Sequence, residues 1–258
     1  MIQKLKTSMG KWDNLSFRLA NKFSKIKLIE KDNIKDVPII INNYNRLEYL
    51  QMQIKWLEKA GCKNIFIIDN ASTYPPLLEF YKKINYKVYL LDKNIGFLAL
   101  WKTVIFQKFM HSYYVYTDPD ILPKDTCPVN VLSYFFEILL KYNDIKKVGF
   151  GLVIDDLPDF YSPKEKVKNW ERQFWENEIE PNLFNAAIDT TFALYKPYVK
   201  GGAELNAIRT GEPYTARHLS WYIDSNNLTE EENYYVKTAN SSSSWTNILL
   251  GKVGNNDY

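Results

Sequence analysis

Asp118-Pro119-Asp120 places two carboxylates one residue apart. At that spacing both can serve one divalent cation, one directly and the other through a water or a ligand hydroxyl. Hard oxygen donors suit Mg²⁺ or Mn²⁺, ions that take their remaining ligands from substrate phosphates. An Asp-x-Asp triplet also marks many ordinary solvated turns, so its setting decides. Immediately upstream, Tyr113-Tyr114-Val115-Tyr116-Thr117 is aromatic and β-branched and reads as a short strand. The carboxylates therefore stand just past a strand's C-terminal end, where open α/β sheets bind their ligands. Phosphate binding by a glycine cradle is excluded. The chain has no Walker loop, and Gly149-Phe150-Gly151 is followed by Ile154 where a Gly-x-Gly-x-x-Gly motif needs its third glycine.

The elements that must position these groups follow from the hydrophobic pattern. Val37-Pro38-Ile39-Ile40-Ile41 is a buried strand running into the polar loop Asn42 to Arg46. Leu47, Leu50, Ile54 and Leu57 recur at helical spacing and Gly61 stops that helix. Asn64 to Ile68 is a second strand, Pro75-Pro76 opens a helix to about Lys83, and Tyr86 to Leu91 is a third strand. A helix from about Phe97 to Phe109 leads to the strand before Asp118. Four β-loop-α units in succession predict an α/β fold with a mostly parallel, doubly wound sheet, its Asp- and Asn-rich loops converging on one edge. Beyond Asp120, the pattern predicts a helix over 131–142 and a strand over 147–154. It continues with an aromatic helical stretch around Trp170, Phe174 and Trp175, and a strand over 188–195. A loop over 201–211 and a helix from Tyr214 to Tyr222 follow.

The order of these motifs resembles the nucleotide-sugar half of glycosyltransferase family 2 enzymes, whose fold is the Rossmann-like GT-A domain. The resemblance rests on Tyr44-Asn45-Arg46, Ile67-Ile68-Asp69-Asn70-Ala71-Ser72-Thr73, Asn94-Ile95-Gly96-Phe97 and Asp118-Pro119-Asp120, and covers roughly residues 37–125. It implies a single GT-A domain over 37–250, with a nucleotide-sugar half (37–125), an acceptor half (126–250) and a tail at 251–258. It further implies that Tyr44, Arg46, Asp69 and Asn70 hold the nucleobase, that Asn94 and Gly96 lie by the nucleotide, that Asp118 contacts ribose or metal, and that Asp120 binds metal. The activity implied is metal-dependent, inverting transfer of a sugar, with UDP the expected carrier, to a glycan or a lipid-linked acceptor.

Such a transfer needs a divalent ion against the leaving diphosphate and a carboxylate that takes the acceptor hydroxyl's proton. Three residues compete for the base. Glu212 stands after Gly211 at the distance where the family keeps an acidic pair at a helix start, although Pro213 replaces the second acid. Asp156 ends the strand that begins near Lys147, and Asp189 starts the strand over 188–195. The bland reading of each is a helix-start acid, a polar loop and a structural strand-end carboxylate. His218 is the candidate third metal ligand, whereas His111 reads as structural. Trp170, Phe174 and Trp175 are either core or a platform on which the acceptor sugar stacks.

Composition bounds the rest. With 258 residues, 46% of them hydrophobic, the chain can bury the core of one large domain. Cys62 and Cys127 form no Cys-x-x-Cys pair, which excludes a cysteine zinc site and fits a reducing compartment. With neither a secretory h-region nor an apolar run of span length, the expected location is the cytoplasm. Residues 1–27 carry seven basic side chains against Asp13 alone, so the remainder of the chain is slightly acidic and gives no footprint for nucleic acid. Within residues 1–36, Ile2, Leu5, Met9, Trp12, Leu15, Leu19, Phe23 and Ile26 make a helical stripe. This basic amphipathic segment either packs on the domain or lies on an anionic membrane. Two other functions remain open: a sugar nucleotidyltransferase, and a glycan-binding protein that keeps the fold without turnover.

Overall fold

The computed structural model describes residues 1–5, 31–202 and 206–239. Its first half is a run of parallel strands. β2 (Ile39–Asn43), β3 (Ile65–Asp69), β4 (Lys87–Leu91) and β5 (Tyr114–Thr117) pair in the order β4-β3-β2-β5. Ile39, Ile41, Ile67 and Val115 face one apolar layer, while Ile40, Ile68, Tyr114 and Tyr116 face another. Both faces are buried, which is why these strands read as continuous apolar runs rather than alternating ones.

The first layer is built by α1 (Glu48–Lys59), α2 (Pro75–Lys83) and α3 (Val131–Lys141). Helix α1 presents Leu50, Gln53, Ile54 and Leu57 inward, spaced to share one helical face. It closes with Gly61 at φ +81°, the Gly61 N–H bonding Glu58 O at 3.0 Å and the Cys62 N–H bonding Leu57 O at 2.9 Å. That pairing is the Schellman arrangement, which a left-handed residue makes possible and glycine adopts without penalty. Helix α2 starts on Pro75 and Pro76, where the missing N–H is not needed.

The second layer departs from the expected α-helix. Residues 98–110 form turns and a short 3₁₀ helix at Val104–Lys108. Thr103 breaks the helical run with extended backbone (φ −123°, ψ 165°), and its hydroxyl bonds the carbonyls of Ala99 at 3.0 Å and Leu100 at 3.2 Å. A threonine that bonds nearby carbonyls offers the backbone an alternative to the helix.

The second half is mixed. β7 (Lys147–Leu152) and β11 (Ala207–His218) pair in parallel, while β10 (Ala193–Tyr195) lies antiparallel between β5 and β7. β6 (Ile121–Pro123) and β9 (Leu183–Asn185) pair antiparallel with β11, and β8 (Glu178–Glu180) closes that edge. The sheet is thus mostly parallel in strand direction, with antiparallel members entering only after β5. Helices α4 (Lys164–Glu171) and α5 (Glu230–Thr238) complete the described α-helices.

Three expectations for this half are corrected. Of the strand over 188–195, only Ala193–Tyr195 pairs; Asp189 lies in the approach to it. The loop over 201–211 and the helix at 214–222 are replaced from Ala207 to His218 by β11, followed by a 3₁₀ turn at Leu219–Trp221. Gly211 and Pro213, which look like loop residues, sit where the β11–β7 register shifts between Thr210 and Thr215, a bulge.

The N-terminal expectation also changes. Ile2–Leu5 is not helical but forms β1, parallel to the outer edge of β4, with Ile2 opposite Val88 and Leu5 opposite Leu91. An open strand edge carries unpaired N–H and C=O groups, and β1 satisfies them. The rest of the predicted amphipathic stripe, Met9 to Ile26, and the 251–258 tail lie outside the described residues. Among the described residues no helix is long and apolar enough to cross a membrane.

Backbone crowding at the sheet's centre gives a test. A Cβ on Gly149 would stand 2.4 Å from Phe192 O and 2.9 Å from the Ala193 Cβ. Gly149→Ala should therefore lower stability by about 1–3 kcal/mol through forced backbone shifts, read as a lower urea midpoint at unchanged slope.

Candidate active site

Because the strands align, their C-terminal ends present one edge. Asn42 to Arg46 span the end of β2 and the loop after it, Asp69 ends β3 with Asn70 to Ser72 following, Asn94 to Gly96 follow β4 and Asp118 to Asp120 follow β5. The reversed strand β10 brings its own approach, Asp189 to Thr191, to that edge, and β11 ends there at His218, opposite Ile121.

Asp118 is fixed on both backbone and side chain. Its N–H donates to Thr190 O at 3.1 Å, and its Oδ2 accepts from the Thr190 hydroxyl at 2.6 Å. From the helix layer, Gln53 Nε2 reaches Asp118 O at 2.9 Å, Ile121 O at 2.8 Å and Thr117 Oγ1 at 3.2 Å. Burial and the nearby charges of Asp120 and Asp189 hold the Asp118 carboxyl well above the usual range, against hydrogen bonds from Thr190 and Asn42 that lower it. Asp120 Oδ2 accepts from Ser220 Oγ at 2.5 Å and lies 3.7 Å from His218 Nε2. The His218 ring stacks on Trp221 at 4.6 Å, and its Nδ1 is buried without a hydrogen-bond partner among the described residues.

Asp189 remains open to solvent although neighbouring groups crowd it. Desolvation raises its pKa, and the cations Lys147 and Arg209 and the His218 ring offset this in part. Lys147 is itself fully buried. Its ammonium donates to Ile188 O at 2.5 Å and Gly202 O at 3.0 Å, and burial lowers its pKa to about 8. Arg209 pairs with buried Glu171 at 2.7 Å, lies over Phe174 at 3.9 Å and donates from Nε to Ala187 O at 2.7 Å.

Two of the candidate bases are held in ion pairs with other residues. Glu212 is exposed in the bulge of β11 and pairs with Lys124 at 2.5 Å. It does not stand at a helix start, and the strand from Thr215 to His218 alone spans about 10 Å. Asp156 accepts from Arg217 Nη2 at 2.6 Å and from the Tyr222 hydroxyl. Partial burial would raise its pKa, but those two partners outweigh that and lower it. Of the three, only Asp189 shares the neighbourhood of Asp118, Asp120 and His218.

The expected nucleotide residues divide in two. Asn70 ties loops together, donating from Nδ2 to Gly96 O at 2.8 Å and accepting from Ile95 N at 2.8 Å, while the Gly96 N–H bonds Asn94 Oδ1 at 2.9 Å. Gly96 holds φ +83°, a left-handed turn suited to glycine. Asp69 is spent on Ser72 N at 2.9 Å and the Tyr81 hydroxyl at 3.0 Å, and burial raises its pKa. Tyr44 and Arg46 instead meet α5: the Tyr44 hydroxyl donates to Thr238 O at 2.8 Å, and the Arg46 guanidinium lies 3.7 Å over the Tyr235 ring. One Arg46 nitrogen, Nη1, is buried without a hydrogen-bond partner among the described residues.

Asp118 and Asp120 offer carboxylate oxygens of the kind Mg²⁺ and Mn²⁺ take, while the His218 imidazole is a softer donor that suits the transition ion Mn²⁺ better than Mg²⁺. Among the described residues no group of three or more His, Cys, Asp or Glu side chains is already arranged around a cation position. Both cysteines are buried and free, and burial pushes Cys62 up to about 11 and Cys127 up to about 12, so neither is a ready thiolate. The aromatic stretch belongs mainly to packing: Trp175 covers Gly151 and meets Phe184 at 5.0 Å, and Phe174 lies under Arg209, whereas Trp170 is partly exposed.

Gln53, Thr190, Ser220 and Lys147 were not singled out by the sequence reading. Gln53 left a signal, a polar side chain inside the Leu50–Ile54–Leu57 stripe; the other three left none. No protein-family model matches the chain, and no curated protein matches it in sequence.

Two measurements probe this framework. Gln53→Leu removes the side-chain donor from the buried Ile121 carbonyl and from Asp118 O, and should lower the unfolding free energy by about 1–3 kcal/mol. The second concerns Lys147. The folded protein gives up this proton near pH 8, while the unfolded lysine keeps it to 10.5. Between those values the unfolded state holds more protons, so this group's contribution to stability rises with pH. The stability of wild type relative to Lys147→Met should accordingly increase from about pH 7 to about pH 10; a difference independent of pH would contradict the buried, proton-poor ammonium.

Proposed function

We propose that the chain is a metal-dependent glycosyltransferase of the GT-A kind, moving a sugar from a nucleoside-diphosphate donor, with a UDP-sugar the first candidate, to a glycan or lipid-linked acceptor. The observation that carries this reading is the meeting of Asp118 and Asp120, at the end of β5, with Asp189 and His218, contributed by the other half of the sheet. A divalent cation held by Asp118 and Asp120, with His218 as third ligand, would supply Lewis-acid stabilisation of the leaving diphosphate.

The chain's own groups take the other roles. Asn70, Asn94 and Gly96 form a small loop cluster beside the end of β4, suited to bordering the nucleotide. Asp189 is the base this reading favours, since a carboxylate open to solvent with a raised pKa is better matched to accepting a hydroxyl proton than one ion-paired with Arg217 or Lys124. Tyr44 and Arg46 would contribute through the wall they form with α5. Inversion at the anomeric carbon follows if the acceptor hydroxyl, its proton passing to Asp189, attacks in a single displacement opposite the leaving diphosphate.

The test is UDP binding and UDP release with a panel of donors in the presence of Mn²⁺. Asp120→Asn should abolish the Mn²⁺-dependent part of UDP affinity while the fold is kept. Asp189→Asn should lower kcat by about 10²–10⁴ with UDP affinity near wild type, whereas Glu212→Gln should turn over normally. Metal-independent, unchanged UDP affinity in Asp120→Asn would refute the metal assignment. Binding without release for every donor and acceptor would leave a glycan-binding protein.

A further inference from the structure

Lys147 has no exposed surface, and a buried ammonium is unfavourable unless its donors are used. A methionine would fill similar space without that desolvation, so the charge calls for an explanation in what it touches. Although Lys147 opens β7, its ammonium donates to Ile188 O at 2.5 Å and Gly202 O at 3.0 Å, with the Tyr195 hydroxyl at 3.5 Å. Arg209 holds the preceding carbonyl, Ala187 O, at 2.7 Å. Two successive carbonyls are thus gripped by two buried cations. The next residue is Asp189, and the one after it, Thr190, bonds Asp118 through its hydroxyl at 2.6 Å and its carbonyl at 3.1 Å.

The cations are not equivalent. Arg209 has its own counter-ion in Glu171 at 2.7 Å. Among the described residues Lys147 has no carboxylate as a hydrogen-bond partner, and the acid that its charge influences is Asp189. We infer that Lys147 is a positioning residue: with Arg209 it fixes the segment Ala187–Thr190, so that the Asp189 carboxylate and the Thr190 contact to Asp118 are held in place before any ligand arrives. The Gly202 bond ties the chain leaving β10 to the same ammonium, so both approaches to β10 are set from one point. The inference rests on the reading above only for what Asp189 does, not for the geometry of the clamp.

The experiment compares the full-length protein with Lys147→Met, which removes all donors, and Lys147→Gln, which keeps two N–H donors without the charge. Amide hydrogen exchange reads the clamp without any activity. Lys147→Met should lose protection by about tenfold or more at Asp118 and at 188–191, while the amides of β2 and β3 keep theirs. Its kcat should drop by about tenfold or more with the UDP dissociation constant in Mn²⁺ within about threefold of wild type. Lys147→Gln should recover most of the protection. Wild-type protection at Asp118 and 188–191 in both variants would overturn the inference, as would a uniform loss across the sheet or a loss of UDP affinity equal to that of kcat. Should the wild type release no UDP from any donor, the functional reading fails, and the exchange comparison still decides the clamp.

Discussion

The Asp118–Thr190 contact, made by both backbone and side chain, is the constraint on which the rest of the site depends. It joins the parallel half of the sheet to the mixed half at the point where the carboxylates gather. It exists because β10 is reversed. Antiparallel to both β5 and β7, β10 begins at the edge where β5 ends, so its approach residues Asp189 and Thr190 arrive beside Asp118. A parallel strand in that slot would deliver those residues to the opposite edge, roughly the length of β5 away, about 13 Å. One strand direction thus converts a loop aspartate remote in sequence into a neighbour of the Asp-x-Asp triplet.

Burial and the nearby charges of Asp120 and Asp189 raise the pKa of Asp118, and desolvation by its neighbours raises that of Asp189. The fold answers with hydrogen bonds rather than with a counter-ion at Asp118. Thr190 and Ser220 hydroxyls occupy one oxygen each on Asp118 and Asp120, and Gln53 fixes the backbone between them. Among the described residues, Lys147 and Arg209 stand near Asp189, and both are engaged by carbonyls. Asp118 and Asp120 are thus held in place by hydrogen bonds from neutral groups.

The parallel half was legible because each strand is buried on both faces and each loop is polar: Ile39 to Ile41, the Schellman glycine at 61 and the prolines at 75 and 76 all carry their structure in local chemistry. The second half was not, for reasons that lie in pairing. Ala207 to His218 contains Gly211 and Pro213, which read as a loop, and Tyr214 to Tyr222 has a helix-like spacing of aromatics. Contacts with β7, β9 and β6 override both, since strand propensity measures the fit to neighbouring strands more than it measures the backbone. Glu212 moved with that error, from a helix start to a bulge paired with Lys124. Asp118 and Asp120 could be found from the strand before them, whereas Thr190, Ser220 and Lys147 are ordinary residues until the fold places them.

The C-terminal helix shows how far such dependence extends. Helix α5 opens with a capping box, Thr229 and Glu232 exchanging bonds at 3.2 Å and 2.8 Å. Its second residue, Glu231, accepts from the Glu48 N–H at 3.1 and 3.2 Å and so caps α1, which has no side-chain cap of its own. A carboxylate at a helix N-terminus satisfies orphan N–H groups and complements the dipole, a combination worth about 1 kcal/mol. Here it also anchors the helix that carries Gln53. Tyr44, Asn45 and Arg46 complete the attachment through Thr238 and Tyr235, with Asn45 held at φ +49°. Helix α1 is therefore bonded at its start to α5 and, through Gln53, to the carbonyls of Asp118 and Ile121 on either side of Asp120. Contacts along one helix thus join the last described helix to the Asp118–Asp120 turn, although more than a hundred residues separate them in sequence.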